Sequence, residues 1–150
     1  MASVPKTAAE IYTDGSSLGN PGKGGWAYVV VLNDEVVKTK SAGTKKATNN
    51  EMELSAAIEA CKQAKTMQCI VSVITDSNYV KQGITSWIHN WKLNGWKTAQ
   101  GKPVKNKELW KKLDDARDKV PILWKWTAAH VGTEYNEMAD NLAKLAAQSA

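Results

Sequence analysis

Four carboxylates stand in short polar motifs spread along the chain: Asp14 in Tyr12-Thr13-Asp14-Gly15-Ser16, Glu53 in Thr48-Asn49-Asn50-Glu51-Met52-Glu53-Leu54, Asp76 in Thr75-Asp76-Ser77, and Asp140 in Asn136-Glu137-Met138-Ala139-Asp140. Carboxylates brought together repel one another unless a positive charge sits among them, and hard divalent cations prefer oxygen ligands. Two such cations about 3.5–4 Å apart can activate a water and stabilise the leaving oxygen of an in-line phosphoryl displacement. The alternative is four unrelated surface acids with local duties.

Each acid has such a duty available. Asp76 sits where a strand pattern gives way to a helix pattern and could serve as an N-cap. Asp140 falls in the first turns of the last helix, where the dipole favours a negative side chain. Asp14 is harder to explain, because it lies inside a strand pattern and Asp is depleted in strands. In the first helix, Thr48 and Glu51 have the spacing of a capping box, which gives Glu51 a structural task. Glu53 instead shares a row with Ala57, Ala60, Cys61 and Ala64, small residues that should face a sheet. Of the two glutamates, Glu53 is the functional candidate.

Elements able to bring these acids together can be read along the chain. Strand patterns cover residues 8–16, 25–32 and 36–43, linked by a Gly/Pro/Asn-rich loop and by Asn33-Asp34-Glu35, and they predict an antiparallel meander. A helix opens at Thr48, and the β-branched run 69–75 reads as a buried strand parallel to the meander. A second helix starts at Asp76-Ser77 with an interruption expected at Gly83. Lysine-rich helical or looped segments fill 85–117, a strand covers 122–127, and a last helix spans 134–148. The expectation is an α/β fold with a mixed five-stranded sheet flanked by helices, in which ligands gather outside the carboxyl ends of the strands.

The 150 residues fit a single domain large enough to bury a core. No apolar run reaches the length of a membrane span, and the first residues lack the apolar stretch of a signal peptide. Cys61 and Cys69 lack metal-ligand spacing and read as free thiols of a reducing compartment. The net charge of +5 is unevenly spread. Between Trp87 and Lys112, seven lysines face one acid, Glu108, for a local +6, leaving about −1 elsewhere. Such a patch suits a polyanion.

In combination and order, these motifs resemble the cellular form of type 1 ribonuclease H along nearly the whole chain. Those carrying the resemblance are Tyr-Thr-Asp-Gly-Ser (12–16), Gly-Asn-Pro-Gly (19–22), Thr-Asn-Asn-x-Met-Glu-Leu (48–54), Thr-Asp-Ser (75–77), Trp-Ile-His-Asn-Trp (87–91), Gly-Trp-Lys-Thr (95–98) and His-x-Gly-x-x-x-Asn-x-x-x-Asp (130–140). The resemblance implies one catalytic domain over residues 1–150 with the ribonuclease H-like fold. It implies an endoribonuclease that cuts the RNA strand of RNA–DNA hybrids with little sequence preference, leaving 5′-phosphate and 3′-hydroxyl ends. Asp14, Glu53, Asp76 and Asp140 would bind two Mg²⁺ ions, with Mn²⁺ as a substitute, and His130 corresponds to a loop histidine that assists proton transfer or product release. A cytoplasmic monomer without membrane association is expected.

Substrate contacts follow from the same resemblance. Asn20, Asn49 and Asn50 would read the 2′-OH, the group that separates RNA from DNA, assisted by backbone near Gly15. Asn78 stands where some relatives have Gln. Lys46, Thr48 and Asn90 match a pocket for a phosphate of the DNA strand. Trp87, Trp91 and Trp96, interleaved with Lys92 and Lys97, resemble a basic protrusion. The residues also read as a packed Trp cluster under a solvated lysine face, and both apply if the indoles pack while the lysines attract the duplex. His89 reads as structural. The chain departs from the family pattern at Val131 and Thr133-Glu134-Tyr135, and its single arginine, Arg117, leaves phosphate contacts to lysine point charges. Two other readings stand beside this one: a non-catalytic duplex-binding module, and a DNA-cutting nuclease or integrase on the same fold.

Overall fold

The computed structural model describes residues 9–127 and 134–150. Five strands, β1 (Ala9–Ser17), β2 (Gly22–Leu32), β3 (Glu35–Ala47), β4 (Val71–Thr75) and β5 (Ile122–Trp126), form one sheet in the order β3-β2-β1-β4-β5. β1, β2 and β3 make the expected antiparallel meander, and β4 and β5 add in parallel on the other side of β1. The β2–β3 hairpin closes on Asn33 and Asp34, both with positive φ, in keeping with the Asn/Asp preference of two-residue hairpin loops. β3 runs longer than its sequence pattern suggested, and β4 begins at Val71 rather than Cys69.

Alternation along the strands assigns the two faces. Ile11, Tyr28, Val30, Val71 and Val73 pack with Ala60 and Ala64 of α1 (Asn49–Lys65). Tyr12, Val29, Val31 and Ile74 pack with Ala139 of α5 (Glu134–Gln148) on the opposite face. α5 lies unusually close to the sheet: a Cβ on Gly25 or Gly43 would come 2.3 Å from the Ala143 or Ala146 carbonyl oxygen. Ala139, Ala143 and Ala147 form the buried side of α5, so small residues on both surfaces fix its depth.

A second core lies beyond the sheet, where α2 (Asn78–Gln82), α3 (Ile88–Leu93) and α4 (Lys107–Arg117) gather around the fully buried Trp110. The interruption expected at Gly83 takes the form of a change of helix type. The chain stays helical there and passes from α2 to α3 through a π-helical turn, Gly83–Trp87. Gly83 has helical dihedrals, and a Cβ on it would meet the Trp110 ring at 1.9 Å. That glycine makes room for an indole.

Candidate active site

Strand register brings the first two acids together. β1 and β4 pair in parallel as far as Tyr12 and Ile74. Two residues further along each chain segment come Asp14, within β1, and Asp76, just past the carboxyl end of β4. The chain leaves β1 toward β2 but returns on its other side as β4. This is the kind of switch point where open sheets form a crevice. Asp76 is not the cap of α2, because the Ser77 hydroxyl accepts the Val80 N–H at 3.1 Å. The carboxylate is left for other use.

Glu53 arrives from α1, on the opposite face. A Cβ on Gly15 would lie 2.3 Å from the Glu53 backbone nitrogen, so only glycine lets the helix touch the strand here. The Gly15 N–H donates to Asp14 Oδ1 at 2.9 Å and also to Glu53 Oε1. One oxygen from each of Asp14, Glu53 and Asp76 then lies within 4.8 Å of the others. Asp140 adjoins that trio from α5. It lies past the first turn of α5, too far along for helix-end electrostatics to explain it. It hydrogen-bonds Asp14, and its Oδ2 is 2.8 Å from Lys144 Nζ. All four acids line an open cleft of about 380 Å³, together with Asn50 and Lys144.

The cluster pays an electrostatic penalty. Burial pushes the Asp14 carboxyl up to about 8, with the Asp140 hydrogen bond and the charges of Asp76 and Asp140 adding to the rise, and the Glu53 hydrogen bond opposing it. Burial first, then the charges of Asp14 and Asp76, hold Glu53 well above the usual carboxylate range, against a lowering by the Gly15 N–H. Such a group of oxygens is stabilised by a hard cation, whose charge reverses each of these repulsions. The donor set therefore fits a divalent metal.

At the start of α1, the capping box forms as expected. Thr48 Oγ1 accepts the Glu51 N–H at 3.2 Å, and Glu51 Oε1 accepts the Thr48 N–H at 2.7 Å. Glu51 is thereby committed, as Glu53 is to the cleft. Asn49 Oδ1 accepts the Ser17 N–H at 3.0 Å, and Asn20 Oδ1 accepts the Asn49 N–H at 3.1 Å. These two bonds tie the β1–β2 loop to the helix beside the cleft.

A model of the RNase H family matches residues 6–148. The chain belongs to the ribonuclease H family. A protein named Ribonuclease H from Pseudoalteromonas translucida is 52% identical over 140 residues, covering 93% of this chain and 90% of that one. One named Ribonuclease HI from Vibrio cholerae is 51% identical over 140 residues, covering 93% and 88%. With such bacterial relatives, the chain is a cellular type 1 ribonuclease H. The foamy viral protease–reverse transcriptase, solved in complex with an RNA/DNA hybrid, matches at a TM-score of 0.86 and 27% identity, over 100% of this chain and 21% of that one.

In this ribonuclease H the remaining expected residues spread over two surfaces. Asn20, Lys46, Asn49, Asn50 and Asn78 are exposed near the strand ends or helix starts, and Asn90 is exposed on α3 together with His89. The tryptophans are primarily packed. Trp91 contacts Trp87, Trp96 and Trp110 at ring-centroid distances of 5.9, 6.4 and 5.3 Å. Tyr79 joins them, accepting the Trp110 indole N–H at 3.0 Å. Lys97 is exposed, but Lys92 is 3.1 Å from Asp114, which also holds Arg117 at 2.9 Å. His130 lies outside the described residues.

Sequence reasoning missed Lys144, although its position four residues after Asp140 on one helix was a readable signal. It also missed Asp114 as the partner of Lys92, and Tyr79 and Trp110 as the centre of the aromatic cluster. Those contacts join residues 22–31 positions apart, and no local pattern announces them.

Proposed function

We propose that this ribonuclease H is a divalent-metal-dependent endonuclease that hydrolyses the RNA strand of RNA–DNA hybrids with little sequence preference, leaving 5′-phosphate and 3′-hydroxyl ends. The observation that carries the reading is the convergence of Asp14, Glu53 and Asp76 within 4.8 Å, two of them with carboxyls raised by burial and mutual charge. Two Mg²⁺ ions are the expected cofactors, with Mn²⁺ able to replace them. When bound, they would supply Lewis acidity and an activated water for in-line displacement. Asp14, Glu53 and Asp76 are assigned as metal ligands. Asp140, now paired with Lys144, is assigned as the fourth residue that would hold the metals. His130 is assigned to proton transfer or product release.

The surroundings of the cleft support a hybrid as substrate. Asn20 and Asn49 spend their side-chain oxygens on backbone N–H groups. Their amide NH₂ groups remain as donors, which can meet a 2′-OH across a shallow minor groove. Asn50 and Asn78 extend this polar edge. The Gly15 N–H is occupied by Asp14 and Glu53, so its contribution is to hold the carboxylates. Lys46, Thr48 and Asn90 are assigned to a phosphate of the DNA strand. The segment bearing Trp87, Trp91, Lys92, Trp96 and Lys97 is assigned to the duplex backbone, with the indoles as a rigid base. No helix among the described residues is long and apolar enough to cross a membrane. A cytoplasmic monomer of one catalytic domain completes the reading.

An end-labelled hybrid incubated with Mg²⁺ or with EDTA, beside single-stranded RNA, duplex RNA and duplex DNA, tests it. The expected result is metal-dependent cleavage of the RNA strand of the hybrid alone. Binding without cleavage would favour a duplex-binding module, and cleavage of duplex DNA a different nuclease.

A further inference from the structure

Trp126 is a large aromatic residue with 44% of its surface exposed, at the end of an edge strand beside the cleft. It is not held there by core packing. Its indole N–H donates to the backbone carbonyl of Asp76 at 3.2 Å. That carbonyl belongs to a peptide between two ordered elements. Thr75 is the last residue of β4 and pairs with Trp126 in the sheet, while Ser77 is the cap of α2. The helix begins its own bonding after Asp76, with Lys81 N–H donating to the Ser77 carbonyl at 3.1 Å.

The rest of this turn is pinned from both sides. Thr127 N–H donates to the Thr75 carbonyl at 3.0 Å, and Ser77 N–H donates to Thr75 Oγ1 at 3.0 Å. Lys81 of α2 places its ammonium 5.3 Å from the Trp126 ring centroid, a cation–π contact that ties the helix to the same indole. The Asp76 carbonyl and the Ser77 N–H belong to one planar peptide, held at its N–H by Thr75 Oγ1 and at its carbonyl by the indole. Without the indole bond it is held at one end only, and the Asp76 carboxylate can tilt with its plane.

We propose that Trp126 is a positioning residue for Asp76, holding the peptide that carries this carboxylate so that its oxygen faces Asp14 and Glu53. The inference rests on Asp76 being a metal ligand. Partners that orient a ligand typically change metal affinity by about 10–100-fold when removed. Trp126→Phe keeps an aromatic ring for Lys81 to cover and removes the indole N–H together with the five-membered ring that carries it. It is an exposed site, so the fold should survive, which circular dichroism checks.

Mn²⁺ affinity is measured by calorimetry on the protein without nucleic acid, and hybrid affinity by fluorescence anisotropy in EDTA. Trp126→Phe is expected to weaken Mn²⁺ binding by about 10-fold and leave hybrid affinity in EDTA unchanged. Asp76→Asn should weaken Mn²⁺ binding further. In wild-type protein, the Trp126 indole N–H resonance should move on Mg²⁺ addition, and should not do so in Asp76→Asn. Unchanged Mn²⁺ affinity in Trp126→Phe, beside a clear loss in Asp76→Asn, overturns the positioning role. So does a loss confined to hybrid affinity, which would make the indole a nucleic-acid contact. Unchanged Mn²⁺ affinity in Asp76→Asn overturns the metal assignment itself, a different failure.

Discussion

The acidic end of the sheet and the lysine-rich segment after α2 carry opposite charge and are built by opposite rules. At the acidic end the charged groups themselves are fixed. Asp14 and Glu53 are buried, a backbone N–H is shared between them, and helix α1 is pressed against Gly15. In the basic segment the fixed groups are aromatic, with Trp91 and Trp110 at the centre, while Lys97, Lys102, Lys105, Lys111 and Lys112 stand in solvent. Metal-assisted displacement depends on sub-ångström placement of ligands, whereas attraction to a polyphosphate depends on the number of charges in range. On the proposed function, buried charge serves the chemistry and exposed charge serves capture.

The largest expected effects test that division at the acidic end. Asp14→Asn and Glu53→Gln should each lower hydrolysis of a hybrid by several orders of magnitude in single-turnover assays, with hybrid binding in EDTA retained. Glu51→Gln, one turn-face away, should keep most activity and lose no more than about 1 kcal/mol of stability, the usual worth of a cap. Equal inactivation by Glu51→Gln and Glu53→Gln in folded proteins would show that fixed geometry does not separate the two glutamates.

A pH experiment comes next in size. The folded protein holds a proton on Asp14 up to about pH 8, whereas the unfolded chain releases it near the ordinary value of 3.8. In that window the native state binds more protons, so stability must fall as pH rises. The contribution is complete below about pH 4 and lost as pH passes 8. With EDTA present, Tm should drop on the order of 10 °C between pH 5 and 9. Asp14→Asn should flatten much of that slope, leaving the part due to Glu53, whose carboxyl is also raised. Millimolar Mg²⁺ should stabilise wild type more at pH 9 than at pH 6, because it binds the ionised form. A flat wild-type profile in EDTA would mean that the carboxylates do not strain the fold.

The two regions were also unequally legible in the sequence. The acid site is assembled from local signals: a capping box that excludes Glu51, a small-residue row that carries Glu53, an acid inside a strand pattern at Asp14, and a strand end at Asp76. Each is a short-range pattern, and parallel pairing of β1 with β4 converts them into one place. Two of its supports were not readable. The close approach at Gly15 depends on a helix 38 residues away, and the Trp126–Asp76 bond spans 50 residues. In the basic segment, lysine counting located the patch but could not tell paired from free cations. The break of the α-helix at Gly83 was readable, but not the reason for a glycine there, because the indole it admits lies 27 residues away.

The smallest expected effect tests whether the exposed lysines act as interchangeable charges. Lys92 is held at 3.1 Å by Asp114, a carboxylate that also binds Arg117, whereas Lys97 is exposed and has an isolated backbone bridge to Pro103 beside it. A cation already neutralised by a neighbour releases fewer counterions when a phosphate approaches. Lys97→Ala should therefore reduce the slope of log Kd against log salt by about 1, the contribution of one phosphate contact, while Lys92→Ala should leave it nearly unchanged. Lys97→Ala should act on KM rather than kcat, and Lys92→Ala should change neither by much. Asp114→Asn frees Lys92 without removing it, and should steepen the salt dependence. Identical slopes for Lys92→Ala and Lys97→Ala would mean that the Asp114 pair opens when the duplex binds, and that local pairing in the free protein does not decide which lysines meet phosphate.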